Sequence, residues 1–124
     1  MGETEFSKLL RERRKQQLIT LSVVAGKAGI SLPYYSDIEF GRRYPPDREI
    51  LDKILDALYV SDADKLVFYD LAGKARSEAP MDLPEYINEY EEVRYALRLA
   101  KDNGDPKVWN KVIDLLEKER GRKQ

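Results

Sequence analysis

Among the 124 residues of this chain there is no cysteine and no histidine. That removes most of the side chains that perform covalent or metal chemistry. A structural zinc site, a disulfide, a nucleophilic thiol, an imidazole base and haem ligation all need one or the other. Charged residues make up 36%, but they recur at helical spacing, the pattern of solvated faces. No enzymatic activity and no cofactor are expected, and the chemistry that remains is recognition. The side chains suited to it gather between Thr20 and Arg43: hydroxyls at Thr20, Ser22, Ser31 and Ser36, a phenol at Tyr34, a carboxylate at Asp37, and cations at Lys27, Arg42 and Arg43. Guanidinium groups pair with phosphates, whereas hydroxyls, carboxylates and apolar atoms tell one base edge from another. Leu32 and Pro33, beside them, offer only apolar contacts.

The net charge of −1 at pH 7 does not by itself suggest a polyanionic partner, but its distribution does. Residues 1–46 hold eight Lys/Arg against five Asp/Glu, residues 47–100 seven against thirteen, and residues 101–124 seven against five. Phosphate contact needs a local basic surface, not a basic protein. No apolar run approaches the ~20 residues of a membrane span. The acidic start Met1-Gly2-Glu3-Thr4-Glu5 is unlike a signal peptide, and Phe6 stands where a myristoylation site wants Ser or Thr. A cytoplasmic location is expected.

The elements that must position the recognition residues are helices. Phe6, Leu9, Leu10 and Leu18 are spaced for one face of a first helix, from about Phe6 to Gln17, with Lys8, Arg11, Arg13, Arg14 and Lys15 around it. Thr20 is an N-cap for a second helix that Gly29 ends. Ser31 caps a third, with Pro33 tolerated in its first turn and Gly41 as its stop. Two short helices joined by Gly29-Ile30-Ser31, with Ile30 as an apolar plug, spell a helix-turn-helix. On the third helix Tyr35 and Ile38 face the core, leaving Leu32, Pro33, Tyr34, Ser36 and Asp37 outside. Asp37 has two readings, an acceptor for a cytosine amino group or a charge that reaches back to Arg42 or Arg43. Asp47 caps a fourth helix carrying Ile50, Leu51, Ile54, Leu55 and Leu58. Ser61 caps a fifth carrying Leu66, Val67, Tyr69 and Leu71, which Gly73 is expected to end.

These residues carry a resemblance. Ile19-Thr20-Leu21-Ser22-Val23-Val24-Ala25-Gly26-Lys27-Ala28-Gly29-Ile30-Ser31, followed by Tyr35-Ser36-Asp37-Ile38-Glu39-Phe40-Gly41-Arg42-Arg43, resembles the phage-repressor (Cro/C1, Xre) family over roughly Phe6 to Gly73. The longer string from Ser36 to Asp47, with Asp70-Leu71-Ala72-Gly73-Lys74 and Asp82-Leu83-Pro84-Glu85-Tyr86-Ile87, is similar to small Xre-type regulators of Gram-positive bacteria and their mobile elements. The resemblance implies an all-α, five-helix domain whose third helix enters the major groove of double-stranded DNA. It also implies a homodimeric repressor or autoregulator on a palindromic operator with half-sites ~10 bp apart or a multiple of that. It implies further a buried ion pair between Arg14 and Glu39, and backbone contacts from Arg42 and Arg43. Leu21 departs from the family, which usually has a phosphate-holding Gln there; Thr20, Ser22 or the helix N-terminus would have to replace that contact.

The expected organisation is a helix-turn-helix domain over residues 1–74, a linker over 75–82 and a C-terminal helical extension over 83–124. In the extension Tyr86, Ile87, Tyr90, Val93, Leu97 and Ala100 keep a helical period, with a break near Asn88 as an alternative. Asp105-Pro106 then opens a last helix with Val108, Trp109, Val112, Ile113 and Leu116 on one side. Tyr86, Tyr90, Tyr95, Val108 and Trp109 offer more apolar surface than a solvated tail requires. They are expected to dimerise, to pack on the domain or to meet a protein partner. In that last case the alternative function is an antitoxin-like or partner-titrating module that keeps the fold.

Overall fold

Each of the first five helices begins where the sequence places a side-chain oxygen against free backbone amides. In the computed structural model, which describes residues 2–123, Thr4 caps α1 (Glu5–Gln16), Thr20 caps α2 (Leu21–Ala28), Ser31 caps α3 (Leu32–Glu39), Asp47 caps α4 (Arg48–Ala57) and Ser61 caps α5 (Asp62–Arg76). Thr4 and Ser7 form a reciprocal capping box: the Ser7 amide donates to Thr4 Oγ1 at 3.1 Å and the Thr4 amide to Ser7 Oγ at 2.9 Å. Three further helices follow, α6 (Pro84–Glu89), α7 (Glu91–Asn103) and α8 (Val108–Lys123). The described residues contain no strand, and none of their helices is long and apolar enough to cross a membrane. The chain divides after Pro84 into two compact units.

In the first unit α2 packs on α3 and α4, and α1 on α3 and α5. Phe6, Leu10, Val24, Tyr35, Ile38, Leu51, Ile54, Leu55, Leu58 and Phe68 are buried together, and half-buried Leu21, Ile30 and Met81 pack against them. Phe6 and Phe68 meet edge to face, ring centroids 6.2 Å apart, the arrangement that aromatic quadrupoles favour.

Several expectations are corrected. Leu18 does not join the face of Phe6 and Leu10; it is 93% exposed. The helix ends one residue earlier, and Leu18 takes φ 56°, a left-handed conformation. Its amide donates to the Lys15 carbonyl at 3.0 Å and that of Ile19 to the Arg14 carbonyl at 3.4 Å, a Schellman ending with leucine in the place usually held by glycine. Gly73 does not end α5 either. It is buried inside the helix, because the chain returns beside it: the Glu78 amide donates to the Gly73 carbonyl at 2.8 Å, and a Cβ on Gly73 would stand 2.8 Å from the Glu78 carbonyl oxygen. The segment expected as a linker over 75–82 thus starts within α5 and returns along it, with Met81 on the core. On α5 Phe68, Tyr69 and Ala72 are buried while Leu66 and Val67 are about half exposed, a shift of the expected inward face.

In the second unit α6 stops at Glu89 and Tyr90 is extended (φ −116°, ψ 116°). The Arg94 guanidinium donates to the carbonyls of Ile87 at 3.1 Å and Asn88 at 2.6 Å, satisfying the end of α6. Gly104, left-handed at φ 76°, ends α7. Asp105 and Pro106 form a turn ahead of α8 instead of its first residues: Asp105 Oδ1 accepts from the Lys107 amide at 3.0 Å, and the helix begins at Val108. None of residues 85–122 is buried.

Candidate nucleic-acid interface

The helix-turn-helix is built by two caps and a glycine. Thr20 Oγ1 accepts from the Val23 amide and Ser31 Oγ from the Tyr34 amide, both at 3.2 Å, so each helix starts at a defined residue. Between them Gly29 takes φ 72°, which lets the chain turn sharply from α2 into α3, and Ile30 tucks against the core. Tyr35, Ile38 and Glu39 point inward; Leu32 and Pro33 are exposed, and Ser36 and Asp37 lie half-buried beside them.

The far end of α3 is fastened to α1. Arg14 Nε donates to both Glu39 carboxylate oxygens, at 2.8 and 2.9 Å, and Arg14 Nη2 lies 2.7 Å from Oε1. The Glu39 side chain is fully buried and that of Arg14 is 12% exposed. A third Arg14 bond, to the Ile19 carbonyl at 3.0 Å, ties the start of the helix-turn-helix to the same guanidinium. The Glu39 contact raises the Arg14 pKa above the ordinary guanidinium value. Burial, with Glu39 beside it, raises that of the Tyr35 phenol. The turn after α3 is held by backbone: Gly41 at φ 75° lies so close to the N-terminal arm that a Cβ would fall 2.7 Å from the Gly2 carbonyl oxygen.

Beyond Gly41, Arg42 and Arg43 are exposed but ordered by partners. Arg42 Nε donates to Asp37 Oδ1 at 2.8 Å and its Nη2 to Ser36 Oγ at 3.1 Å. Arg43 Nε lies 3.8 Å from Asp37 Oδ2, and its guanidinium sits 5.1 Å from the centre of the Tyr34 ring. Asp37 therefore reaches back to both arginines, the second of its two expected readings. Tyr34, expected outside, is half-buried, with its ring against the core on one side and Arg43 over it. Lys27 donates to the Tyr59 hydroxyl at 2.8 Å and lies 4.9 Å from its ring centre, so its ammonium is engaged within the protein. Ser22 is exposed, and Leu21 packs toward the core where it holds no polar partner.

Sequence reasoning missed Arg76 and Tyr44. Together with Tyr34, Arg42, Arg43, Pro45, Pro46 and Asp47 they line an open cleft of about 560 Å³, where Arg76 donates to the Pro45 carbonyl at 3.1 Å. Tyr44 adjoins the arginine pair and could have been found from it. Arg76 could not, because it lies beyond Gly73, where the sequence predicts the end of α5. In the second unit Tyr86 and Tyr90 pack ring to ring at 5.1 Å, Tyr95 is 64% exposed, and half-buried Trp109 borders a cleft with Leu97, Ala100 and Pro106. Val108 is half-buried as well.

These features define the class: an all-helical, five-helix helix-turn-helix domain with a C-terminal helical extension. Residues 10–64 match the family model described as helix-turn-helix. The chain is 35% identical over 79 residues to the uncharacterized HTH-type transcriptional regulator YqaE of Bacillus subtilis (strain 168), covering 59% of this chain and 68% of that relative. A solved SinR protein/SinI protein complex aligns at a TM-score of 0.43 and 22% identity, covering 94% of this chain and 98% of that chain. The chain belongs to the Cro/C1-type (Xre) helix-turn-helix family of transcriptional regulators.

Proposed function

We propose that this protein is a sequence-specific regulator that binds a palindromic DNA operator as a homodimer and represses transcription there. The observation that carries the reading is the pair Arg42 and Arg43, fixed beside the outer face of α3, which Ser31 caps and a buried ion pair anchors. Leu32, Pro33, Ser36 and Asp37 lie on the side open to a groove, with Tyr34 behind Arg43. Phosphates on either side would take the arginines and the hydroxyls of Thr20, Ser22 and Ser31, with Lys27 joining only if it leaves Tyr59. Dimerisation is assigned to the second unit, through Tyr86, Tyr90, Tyr95, Val108 and Trp109, because an operator with two half-sites needs two reading heads at fixed spacing.

Selection of bound duplexes from a random pool at two salt concentrations tests this. A palindrome should emerge, with affinity falling steeply as salt rises. Changing both Arg42 and Arg43 to Ala should abolish the enrichment and lower the salt slope by about 2. Weak binding that is indifferent to salt and to both arginines would overturn the reading. A protein partner on the second unit would then take its place.

A further inference from the structure

We propose that Asp37 is the specificity-determining residue of α3, withholding Arg42 and Arg43 from phosphates until a cytosine amino group in the major groove takes over its carboxylate. The inference rests on the DNA-binding reading above and names what that reading leaves open, the residue that separates an operator from other DNA.

One carboxylate serves two guanidinium groups. Asp37 Oδ1 accepts from Arg42 at 2.8 Å, and Oδ2 faces Arg43 at 3.8 Å. The same residue also holds both arginines through the backbone, its carbonyl accepting the Arg42 amide at 2.8 Å and the Arg43 amide at 3.3 Å. Arg42 is further fixed by Ser36 Oγ and lies 5.5 Å from the Phe40 ring centre, while Arg43 stacks on Tyr34. An isolated surface ion pair contributes little. Here, however, the anion sits on the helix proposed to enter the groove, and the cations are the groups proposed to clamp the backbone.

Binding therefore sets up an exchange. When phosphates draw off the arginines, the Asp37 carboxylate loses both partners while surrounded by a polyanion. On the major-groove edge of a base pair, guanine N7 and O6 and thymine O4 are acceptors and repel it, whereas the cytosine amino group donates to it. DNA with cytosine at that position restores a hydrogen bond to the carboxylate; adenine offers its N6 donor only between two acceptors, its own N7 and thymine O4, and the remaining bases leave the charge uncompensated. A residue that looks unsuited to a nucleic-acid interface thus lowers affinity for every sequence except those with a donor in the right place, which is specificity by penalty.

The test uses the full chain and two duplexes of equal length, the selected operator and a scrambled version, at one salt concentration. Asp37→Ala should tighten binding to the scrambled duplex several-fold, hold operator binding within about threefold, and so cut the ratio of the two about tenfold. A repeated selection should lose cytosine at one position per half-site, and Asp37→Asn should exchange it for adenine, the base that asparagine pairs with. If Asp37→Ala weakens both duplexes alike, Asp37 only positions the arginines and the inference falls. An unchanged ratio and an unchanged motif would overturn it equally. If the folded wild-type protein enriches no sequence at all, the DNA-binding reading itself fails and takes this inference with it.

Discussion

The two units of this chain solve the problem of burial in opposite ways. In the first, residues from five helices and from the returning segment at Met81 enclose a single core, and even a glutamate is taken inside because Arg14 meets it with two hydrogen bonds. In the second, three helices carry Tyr86, Ile87, Leu97, Leu99, Trp109, Ile113, Leu115 and Leu116 among their apolar side chains, yet none of residues 85–122 is buried. Units of about 40 residues that fold alone usually need a disulfide, a metal or an oligomeric partner. With neither cysteine nor histidine in the chain, a disulfide and the usual zinc sites are not open to it. The contrast divides the labour: the first unit holds its own shape around an enclosed core, while the apolar surface of the second is what the proposed function assigns to a second copy.

The largest effect expected on the first unit comes from its buried charge. Glu39→Ala leaves Arg14 without its carboxylate and should lower the unfolding free energy by about 3–5 kcal/mol in urea titrations. A loss below 1 kcal/mol would mean that the pair is effectively solvated and that the first unit is less closed than described. Gly73→Ala comes next. In an ordinary helix interior this change gains about 1 kcal/mol. Here the new Cβ would meet the Glu78 carbonyl at 2.8 Å, so the sign should reverse to a loss of about 1–3 kcal/mol. A stabilised Gly73→Ala protein would show that the returning segment is not held against α5.

Dilution separates the units when two probes are compared. The only tryptophan, Trp109, lies in the second unit, so its fluorescence follows that unit while far-ultraviolet circular dichroism follows both. If a second copy covers the apolar face, each tenfold dilution should lower the apparent stability seen by Trp109 by about 1.4 kcal/mol of dimer. The first unit's transition should stay in place. A Trp109 transition independent of concentration would remove the dimer from the comparison.

How far the sequence discloses this architecture depends on how local the cause is. Caps are local: Thr20, Ser31, Asp47 and Ser61 each announce a helix with a side chain three residues from the amide it serves. The Arg14–Glu39 pair is not, since 25 positions separate its members and only family resemblance links them. Gly73 fails differently. A glycine that ends a helix and one that lets a chain approach a helix look the same in a sequence, and misreading it ended α5 too soon and hid Arg76. On the same helix Leu66-Val67-Phe68-Tyr69 offers an apolar run without a clear period, so its buried side is chosen by packing against Phe6, not by pattern. Asp37 was open to two readings because its geometry depends on where the turn at Gly41 sends the following arginines.

The smallest predicted effect concerns the two kinds of exposed leucine. Leu18 is exposed because the Schellman ending forces it into a left-handed conformation at φ 56°, whereas Leu116 lies on a regular helix and is 61% exposed. Leu18→Gly removes Cβ crowding worth about 1–2 kcal/mol and gives part of it back through the greater freedom of an unfolded glycine. A net gain of about 0.5–1 kcal/mol in the first unit's transition should remain. Leu116→Gly places the same residue in a helix interior and should cost the second unit about 1 kcal/mol in propensity alone. It should cost more at concentrations where the apolar face is covered. Opposite signs for one substitution would tie Leu18's exposure to the backbone, and a concentration-dependent excess loss at Leu116 would tie its exposure to a second copy. A loss at both sites would instead assign Leu18 a contact of its own, and the first unit would then also carry an apolar site for another molecule.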